Sequence, residues 1–594
     1  MLMDSLKAAA WERSNGATTI FPDPVKRLTA RIKAAKGEIS PDLILKNGLV
    51  ADLFSGEIIR TDVAIYDGII VGLGEYDGPH LVDASNYHVA PGFMDGHFHI
   101  ESSMLSPREL ARAVLPHGTT AIVADPHEIT NVLGTRGLRY ILEETEGLPL
   151  DFYLMAPSCV PATHLETSGA CLETEDLEGF RQEKRVLGLA EMMNFPGVTF
   201  CDPGVLDKIA AYCDRIKDGH APLLSGKALN AYISTGIRSD HECTLLAEAR
   251  EKLRGGIQIM IREGTQAKNL SALLPLVNAM TLRQCSLVTD DLHPHDIMRH
   301  GHLDAVMSLA IDQGLDPLWA IAMVTINTAR YFGLRDYGAV APGYRADLVL
   351  LSSLNPVRVE AVFKNGRQVV DHGKLIEHIP VSVLPADVTS MHVKPYDKSA
   401  FVIPASGRRV RVIDLIPDQI LTGAAILEAS VRDGRVVQDI ERDILKIVVI
   451  ERHQGTGNIA LGLVRGFRLK KGALSASVAH DSHNIICVGC SDADMYAAAR
   501  EVEAMRGGLA IACDGEITAR LALPIAGLMS DRPLAEIGRG WEHIRYEAQQ
   551  LGCQLREPFM HLSFLALPVI PELKMTDRGL VDVNRFDFVP LFVD

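Results

Sequence analysis

The stretch that most limits what this chain can fold into runs from about residue 91 to residue 334, where short apolar runs alternate with helical segments. Eight runs can be counted, at GFMDGHFH, TTAIVADPHE, DFYLMAPS, VLGLAEMM, the segment before Asp218-Gly219-His220, STGIRSDHE, GGIQIMIREG and CSLVTDDLHP, and each is followed by text able to form a helix. Eight strand–helix units over roughly 240 residues match a (β/α)8 barrel, which typically takes about 250. The expected fold class is therefore α/β, with a TIM-like barrel over 91–334 at its centre.

The flanks read differently. Over 42–90 the sequence turns to short strands with turn punctuation, DLILKNGLV and GEIIRTDVAIYDGIIVGLG, where Asn47-Gly48 and Asp67-Gly68 predict tight hairpins. Similar text returns over 335–380, where Lys364-Asn365-Gly366 echoes Lys46-Asn47-Gly48, and the two segments are expected to pair into one composite β-sandwich domain. Residues 1–41 mix Lys, Arg and Ala around a Pro-Asp-Pro turn and read as a leader that docks late. Residues 381–594, with KIVVIER, NIICVG and a helix around DADMYAAAREVEAMRG, read as a separate C-terminal α+β domain.

Composition narrows the partners. The 594 residues are 47% hydrophobic and 23% charged, enough to bury large cores. With 59 basic and 75 acidic residues the net charge is −16, which repels phosphate backbones and anionic lipid. Nucleic acid and membrane are poor partners on that ground, and a small molecule is the better one. The ten cysteines are scattered rather than framework-like, the N-terminus lacks a secretion signature, and no apolar run reaches the length of a membrane span. A reduced, cytoplasmic protein is expected.

The strand ends carry the chemistry. His97 and His99 stand two apart on an extended strand and so share one face. They follow Pro91-Gly92-Phe93-Met94-Asp95-Gly96, which places them at the mouth of the first barrel strand, and Glu191, His220, His241 and Asp290 end later strands. Active sites of such barrels lie on the face where those ends gather. Four imidazoles and two carboxylates suit Zn²⁺, Fe²⁺ or Mn²⁺, and suffice for two ions. A carboxylate between two ions can bridge them, and water held there loses a proton near neutral pH, so attack by metal-bound hydroxide is the reaction implied.

The order His-x-His, acid, His, His, Asp across residues 42–370 resembles the amidohydrolase superfamily, metal-dependent hydrolases on a barrel with an appended β-sandwich. Many members bridge their metals with a carbamylated lysine, whereas this chain has Glu191 within Ala190-Glu191-Met192-Met193. That departure, with Ala124-Asp125-Pro126-His127-Glu128, Ser239-Asp240-His241-Glu242, His480-Asp481-Ser482-His483-Asn484 and LPVIPELKMTDRGLVDV, makes nearly all of the chain past residue 42 similar to the prokaryotic adenine deaminase family.

The resemblance implies hydrolysis of adenine to hypoxanthine and ammonia, in purine salvage or adenine catabolism, through a divalent and binuclear centre. Mn²⁺ or Fe²⁺ is favoured, with Zn²⁺ as an alternative. Metal-bound hydroxide would attack C6 while Asp290, a ligand able to take a proton, shuttles it towards the ring or the leaving amine. Glu128 is the candidate proton donor or purine anchor, set against a helix N-terminal carboxylate favoured by the dipole. Asp125 and His127 are expected behind the ligands or at an extra ion, set against a turn built on Pro126. His480 and His483, with Asp481, are expected to cap the barrel mouth or hold a further ion, set against a hydrogen-bonded turn. A homo-oligomer, a dimer in the first instance, is the expected assembly.

Three other readings compete. Zinc-dependent nucleobase deaminases pair His-x-Glu with Pro-Cys-x-x-Cys. His99-Ile100-Glu101 meets the first half, but Cys487 and Cys490 follow Ile486 instead of proline and read as a strand feature. A hydrolase of the same fold acting on another cyclic amidine or amide, or an amino-sugar deacetylase, is separable by its products. A non-catalytic scaffold is disfavoured because all six ligand positions are filled. Gly455-Thr456-Gly457 is too short for a phosphate cradle, and no dinucleotide fingerprint is present.

Overall fold

The computed structural model describes residues 23–593 apart from residues 383 and 418. Most of the expected leader therefore lies outside the described residues. Its end is helix Pro24–Ala35, capped by the Asp23 carboxylate, and the Tyr76 hydroxyl donates to the Ala35 carbonyl at 2.7 Å.

Eight parallel strands form the barrel: Phe93–Phe98, Thr119–Ala124, Asp151–Ala156, Val186–Met192, Ile216–Gly219, Ser239–Asp240, Gln258–Arg262 and Cys285–Val288. The first five pair in sequence order, as do the last three. The fifth and sixth meet where the Arg238 amide donates to the Lys217 carbonyl. Closure comes from Asp290, two residues past the eighth strand: its amide donates to the His97 carbonyl (3.0 Å), and the His99 amide donates to its carbonyl (3.2 Å). The first, second, seventh and eighth strands are buried along their whole length, as strands covered on both faces require.

The segments before and after the barrel share one nine-stranded sheet. Its junction is the antiparallel pair of His88–Pro91 with Leu348–Leu354, so the chain enters and leaves the barrel side by side. Asp67-Gly68 and Asn365-Gly366 are two-residue hairpins with positive φ at both positions (53° and 72°; 50° and 75°), the geometry Asn-Gly and Asp-Gly favour.

Asn47-Gly48 is not a hairpin, which corrects the expectation above. It lies inside strand Leu43–Asp52 as a bulge, where the register with Glu57–Tyr66 slips between Leu45 and Gly48. Asn47 has φ 58°, and its amide donates to the Asp62 carboxylate at 2.9 Å. A Cβ on Gly48 would fall 2.5 Å from Val89 Cγ2. A bulge and a tight turn both call for a left-handed residue, so the dipeptide alone does not separate them; the close approach of strand His88–Pro91 does.

The C-terminal region is built on an eight-stranded sheet, with helix Asp492–Ala504 against one face. The loop between strands Ala473–Ala476 and Ile485–Gly489 carries His480 and His483. Cys487 is buried in the second of these strands and Cys490 follows it; both are free thiols. This region lies over the barrel mouth.

Candidate active site

The barrel supplies the wall of the site. Glu191 ends the fourth strand, and its two carboxylate oxygens face two different imidazole pairs. Oε1 is 3.4 Å from His99 Nε2 and 3.9 Å from His97 Nε2. Oε2 is 2.6 Å from His220 Nδ1 and 3.2 Å from His241 Nε2. Asp290 Oδ1 faces the first pair, 3.1 Å from His99 Nε2 and 3.6 Å from His97 Nε2. All six side chains that the strand-end pattern singled out are brought together, His220 at the edge of the group and the other five buried.

Burial by itself would raise the Glu191 carboxyl, but the charges of His220 and His241 outweigh it and hold the group well below the usual carboxylate range. Asp290 behaves alike: burial opposes ionisation, while the Arg262 guanidinium and the hydrogen bond with His99 keep it ionised. Its backbone sits in the left-handed region (φ 61°), a conformation that Asp tolerates better than most residues. Because its amide and carbonyl close the barrel, the carboxylate is aimed by the backbone as well as by its neighbours.

The donor set fits divalent ions. The ligand atoms of His97, His99 and Glu191, of His97, His241 and Asp290, and of Glu191, His220 and His241 lie within 4.8 Å of one another in each group. His97 Nε2 is buried and has no hydrogen-bond partner among protein groups. Nitrogen and oxygen donors so arranged suit borderline transition metals, and the site is metal-binding in character.

Behind these six side chains lies a supporting layer. Asp125 accepts from the Glu191 amide (3.2 Å) and the His127 amide (3.2 Å), and its carbonyl meets His99 Nδ1 at 3.1 Å. Such contacts fix ring orientation and leave Nε2 as the free donor. His127 Nδ1 stands 3.3 Å from Asp125 and 3.6 Å from Glu191. Arg262, at the tip of the seventh strand, donates to Glu242 Oε1 and to Asp290 Oδ2, both at 2.5 Å. Neither Arg262 nor Glu242 was assigned from the sequence. Both sit at strand ends, in GGIQIMIREG and Ser239-Asp240-His241-Glu242, so the rule that found the ligands would have found them had it been applied to cations and to positions beside a ligand.

The C-terminal region supplies the roof. His480 Nδ1 stands 3.2 Å from Glu128 Oε1, and His483 Nε2 3.9 Å from Glu128 Oε2. Glu128 does lie in the first turn of helix His127–Leu133, yet Glu101 is the group that accepts an amide there, from Ile129 at 3.0 Å. Burial raises the Glu128 carboxyl, and the charge and hydrogen bond of His480 more than reverse it, holding it well below the usual range. His483 Nδ1 accepts from the Ala479 amide (3.2 Å), so Nε2 carries its proton, and it makes no hydrogen bond to a protein group. Phe564 stacks on the His480 ring, centroids 4.7 Å apart and planes 11° from parallel.

Between wall and roof is a cavity lined by Glu191, His220, His241 and Asp290 on one side and by Ile420, His480, Met560, Phe564 and Leu567 on the other. A mainly apolar lining with a few convergent polar groups is the make-up of a small-molecule site. The apolar roof residues carried no signal in the sequence, since an apolar residue facing a cavity and one facing a core read alike.

Comparison with known proteins agrees with this geometry. Residues 88–369 match the amidohydrolase family, and residues 419–587 match the adenine deaminase C-terminal domain. The chain is 49% identical to an adenine deaminase of Dehalococcoides mccartyi over 568 residues, covering 95% of this chain and 99% of that one. It is 50% identical over 563 residues to an adenine deaminase of Desulfatibacillum aliphaticivorans, covering 94% and 99%, and 48% identical over 571 residues to one of Methanothrix thermoacetophila, covering 96% and 100%. The matches span both the barrel and the region that roofs it, and the chain belongs to the adenine deaminase family of amidohydrolases.

Proposed function

We propose that the protein hydrolyses adenine to hypoxanthine and ammonia. One observation carries the reading: Glu191 divides its two oxygens between His97/His99 and His220/His241, in a chain that matches adenine deaminases over almost its whole length. His97, His99, Glu191 and Asp290 would hold one divalent ion and Glu191, His220 and His241 a second, with Mn²⁺ or Fe²⁺ favoured over Zn²⁺ by family likeness. When bound, such ions supply a water acidic enough to act as nucleophile at neutral pH.

The chain's own groups do the rest. Asp290, kept ionised by Arg262, accepts a proton and returns it to the leaving amine. Glu128, held as a carboxylate by His480, accepts an N–H of the purine, while His480 keeps the proton: burial opposes it, but Glu128 pushes the imidazole up to about 10. Of the two roles expected for Glu128, anchoring is therefore the one we assign. Asp125 and His127 orient the ligands. The apolar roof excludes bulk water, which strengthens each of these contacts.

All ten cysteines are free, which suits a reducing compartment such as the cytoplasm, and no helix among the described residues is long and apolar enough to cross a membrane. The test is ammonia release across a panel of purines and pyrimidines, with metal content measured on the same sample. Adenine should be the preferred substrate; acetate from an amino sugar, or no ammonia from adenine, would overturn the reading.

A further inference from the structure

The loop after the seventh barrel strand carries a side-chain amide that no protein group satisfies. Gln266 lines the cavity, and both its Nε2 and its Oε1 are buried without a hydrogen-bond partner. A buried amide left unpaired at both ends is a costly arrangement that native structures seldom retain without a reason.

The backbone of this loop is held by its neighbours. Residues 263 and 268 bridge each other across it, and the Gly264 amide donates to the Ala267 carbonyl at 2.9 Å. Thr265 is held at three points, its amide donating to the Asp291 carbonyl (2.8 Å), its hydroxyl donating to the Asp296 carboxylate (2.6 Å) and accepting from the His293 amide (2.8 Å). A Cβ on Gly264 would fall 2.6 Å from the carbonyl oxygens of both Thr289 and Asp291, so the turn is packed directly against the segment that carries Asp290. The backbone that presents Gln266 to the cavity is thereby pinned.

We propose that Gln266 is a specificity-determining residue, whose amide reads a donor–acceptor edge of the adenine ring. Adenine offers three such edges: the amine beside N1, the amine beside N7, and N9–H beside N3. In each, an N–H lies next to a ring-nitrogen lone pair, the complement of an amide's oxygen and N–H; glutamine pairs with adenine in this bidentate way in nucleic-acid recognition. A pocket built to satisfy such a pair rejects molecules that lack it, because its own polar atoms are then left unmet. The inference rests on the deamination reading above.

The test crosses a side-chain change with a substrate-atom change. Adenine kinetics and inhibition constants for 1-, 3- and 7-deazaadenine are measured for the metal-loaded wild type, Gln266→Met and Gln266→Glu. Gln266→Met should lower kcat/KM for adenine by about tenfold or more with metal content intact. It should weaken two of the deaza analogues by a similar factor, and weaken distinctly less the one whose missing nitrogen is the atom contacted. If Gln266→Met fails to fold, the isosteric Gln266→Glu, which keeps an acceptor and loses the donor, carries the same comparison. A common loss across adenine and all three analogues, or no loss at all, would overturn the role of Gln266. Wild-type protein that releases no ammonia from adenine would instead overturn the deamination reading itself.

Discussion

The wall and the roof of the cavity are made from the same materials, imidazoles, carboxylates and apolar side chains, but they are held in place by different means. On the wall each ligand sits at a strand end, and the barrel's hydrogen bonding sets its position; Asp290 even closes the barrel with its own amide and carbonyl. The roof hangs on a loop of the C-terminal domain. His480 and His483 are held there by the buried Arg452, whose guanidinium donates to the carbonyls of His483, Ser390 and Ala526, and by the His453 ring against the Ser482 carbonyl at 2.6 Å. The difference predicts that metal binding and substrate holding are separable in this molecule. Damage to the wall should remove both, and damage to the roof only the second.

The largest effect expected is that of Glu191→Gln, which removes the one group shared by both imidazole pairs. Both ions and all measurable activity should be lost, and metal analysis of the purified variant checks it; full retention of two ions would show that Glu191 does not bridge. Chelation should likewise abolish activity, restored by Mn²⁺, Fe²⁺ or Zn²⁺. Next in size, Asp290→Asn should lower kcat by about 10² to 10⁴, the usual contribution of a positioned proton-transfer group. An unchanged kcat at full metal occupancy would remove Asp290 from the shuttle role.

Arg262→Met tests the layer behind the wall. It would leave Glu242 and Asp290 as buried carboxylates with no guanidinium between them, and breaking a buried ion pair from one side costs about 3–5 kcal/mol. Chemical denaturation should show that loss, and an unchanged midpoint would mean the pair is solvated or compensated. At the junction of wall and roof, Glu128→Gln should lower kcat/KM by about tenfold or more, as loss of a charged hydrogen bond does, with metal content intact. Loss of metal would make Glu128 a ligand, and wild-type kinetics would leave it a structural partner of His480.

The smallest effect is expected at the roof itself. Phe564→Ala removes the ring stacked on His480, an interaction worth about 0.5–1.5 kcal/mol beyond burial. KM should rise a few-fold while metal content and the Asp290-dependent step are unchanged. A loss of metal here would break the separation between wall and roof.

What could be read in the sequence follows this division. The barrel and its ligands were legible because a strand's two-residue period and the position of a polar residue at the end of an apolar run are local properties. His97 and His99 had to share a face, and a carboxylate ending VLGLAE had to reach the mouth. The Asn47-Gly48 bulge was misread because two backbone structures with the same torsional demand look the same until a third strand packs beside one of them. Glu128 was placed at the right end of the barrel, but its partner lies more than three hundred residues away in sequence, and nothing local says which of its roles prevails.

The chain by itself thus determined the α/β class, the eight strands, the six donors and the fact that they meet, because each depends on periodicity and on burial of apolar runs. Only the tertiary structure decided that Glu191 stands between the two imidazole pairs, that Arg262 holds Asp290 ionised, that His480 takes the proton from Glu128, and that Ile420, Met560 and Phe564 close the cavity. Those features are contacts between segments far apart in the chain. Their energies depend on distance and on exclusion of water, and neither quantity exists until the C-terminal domain has docked on the barrel.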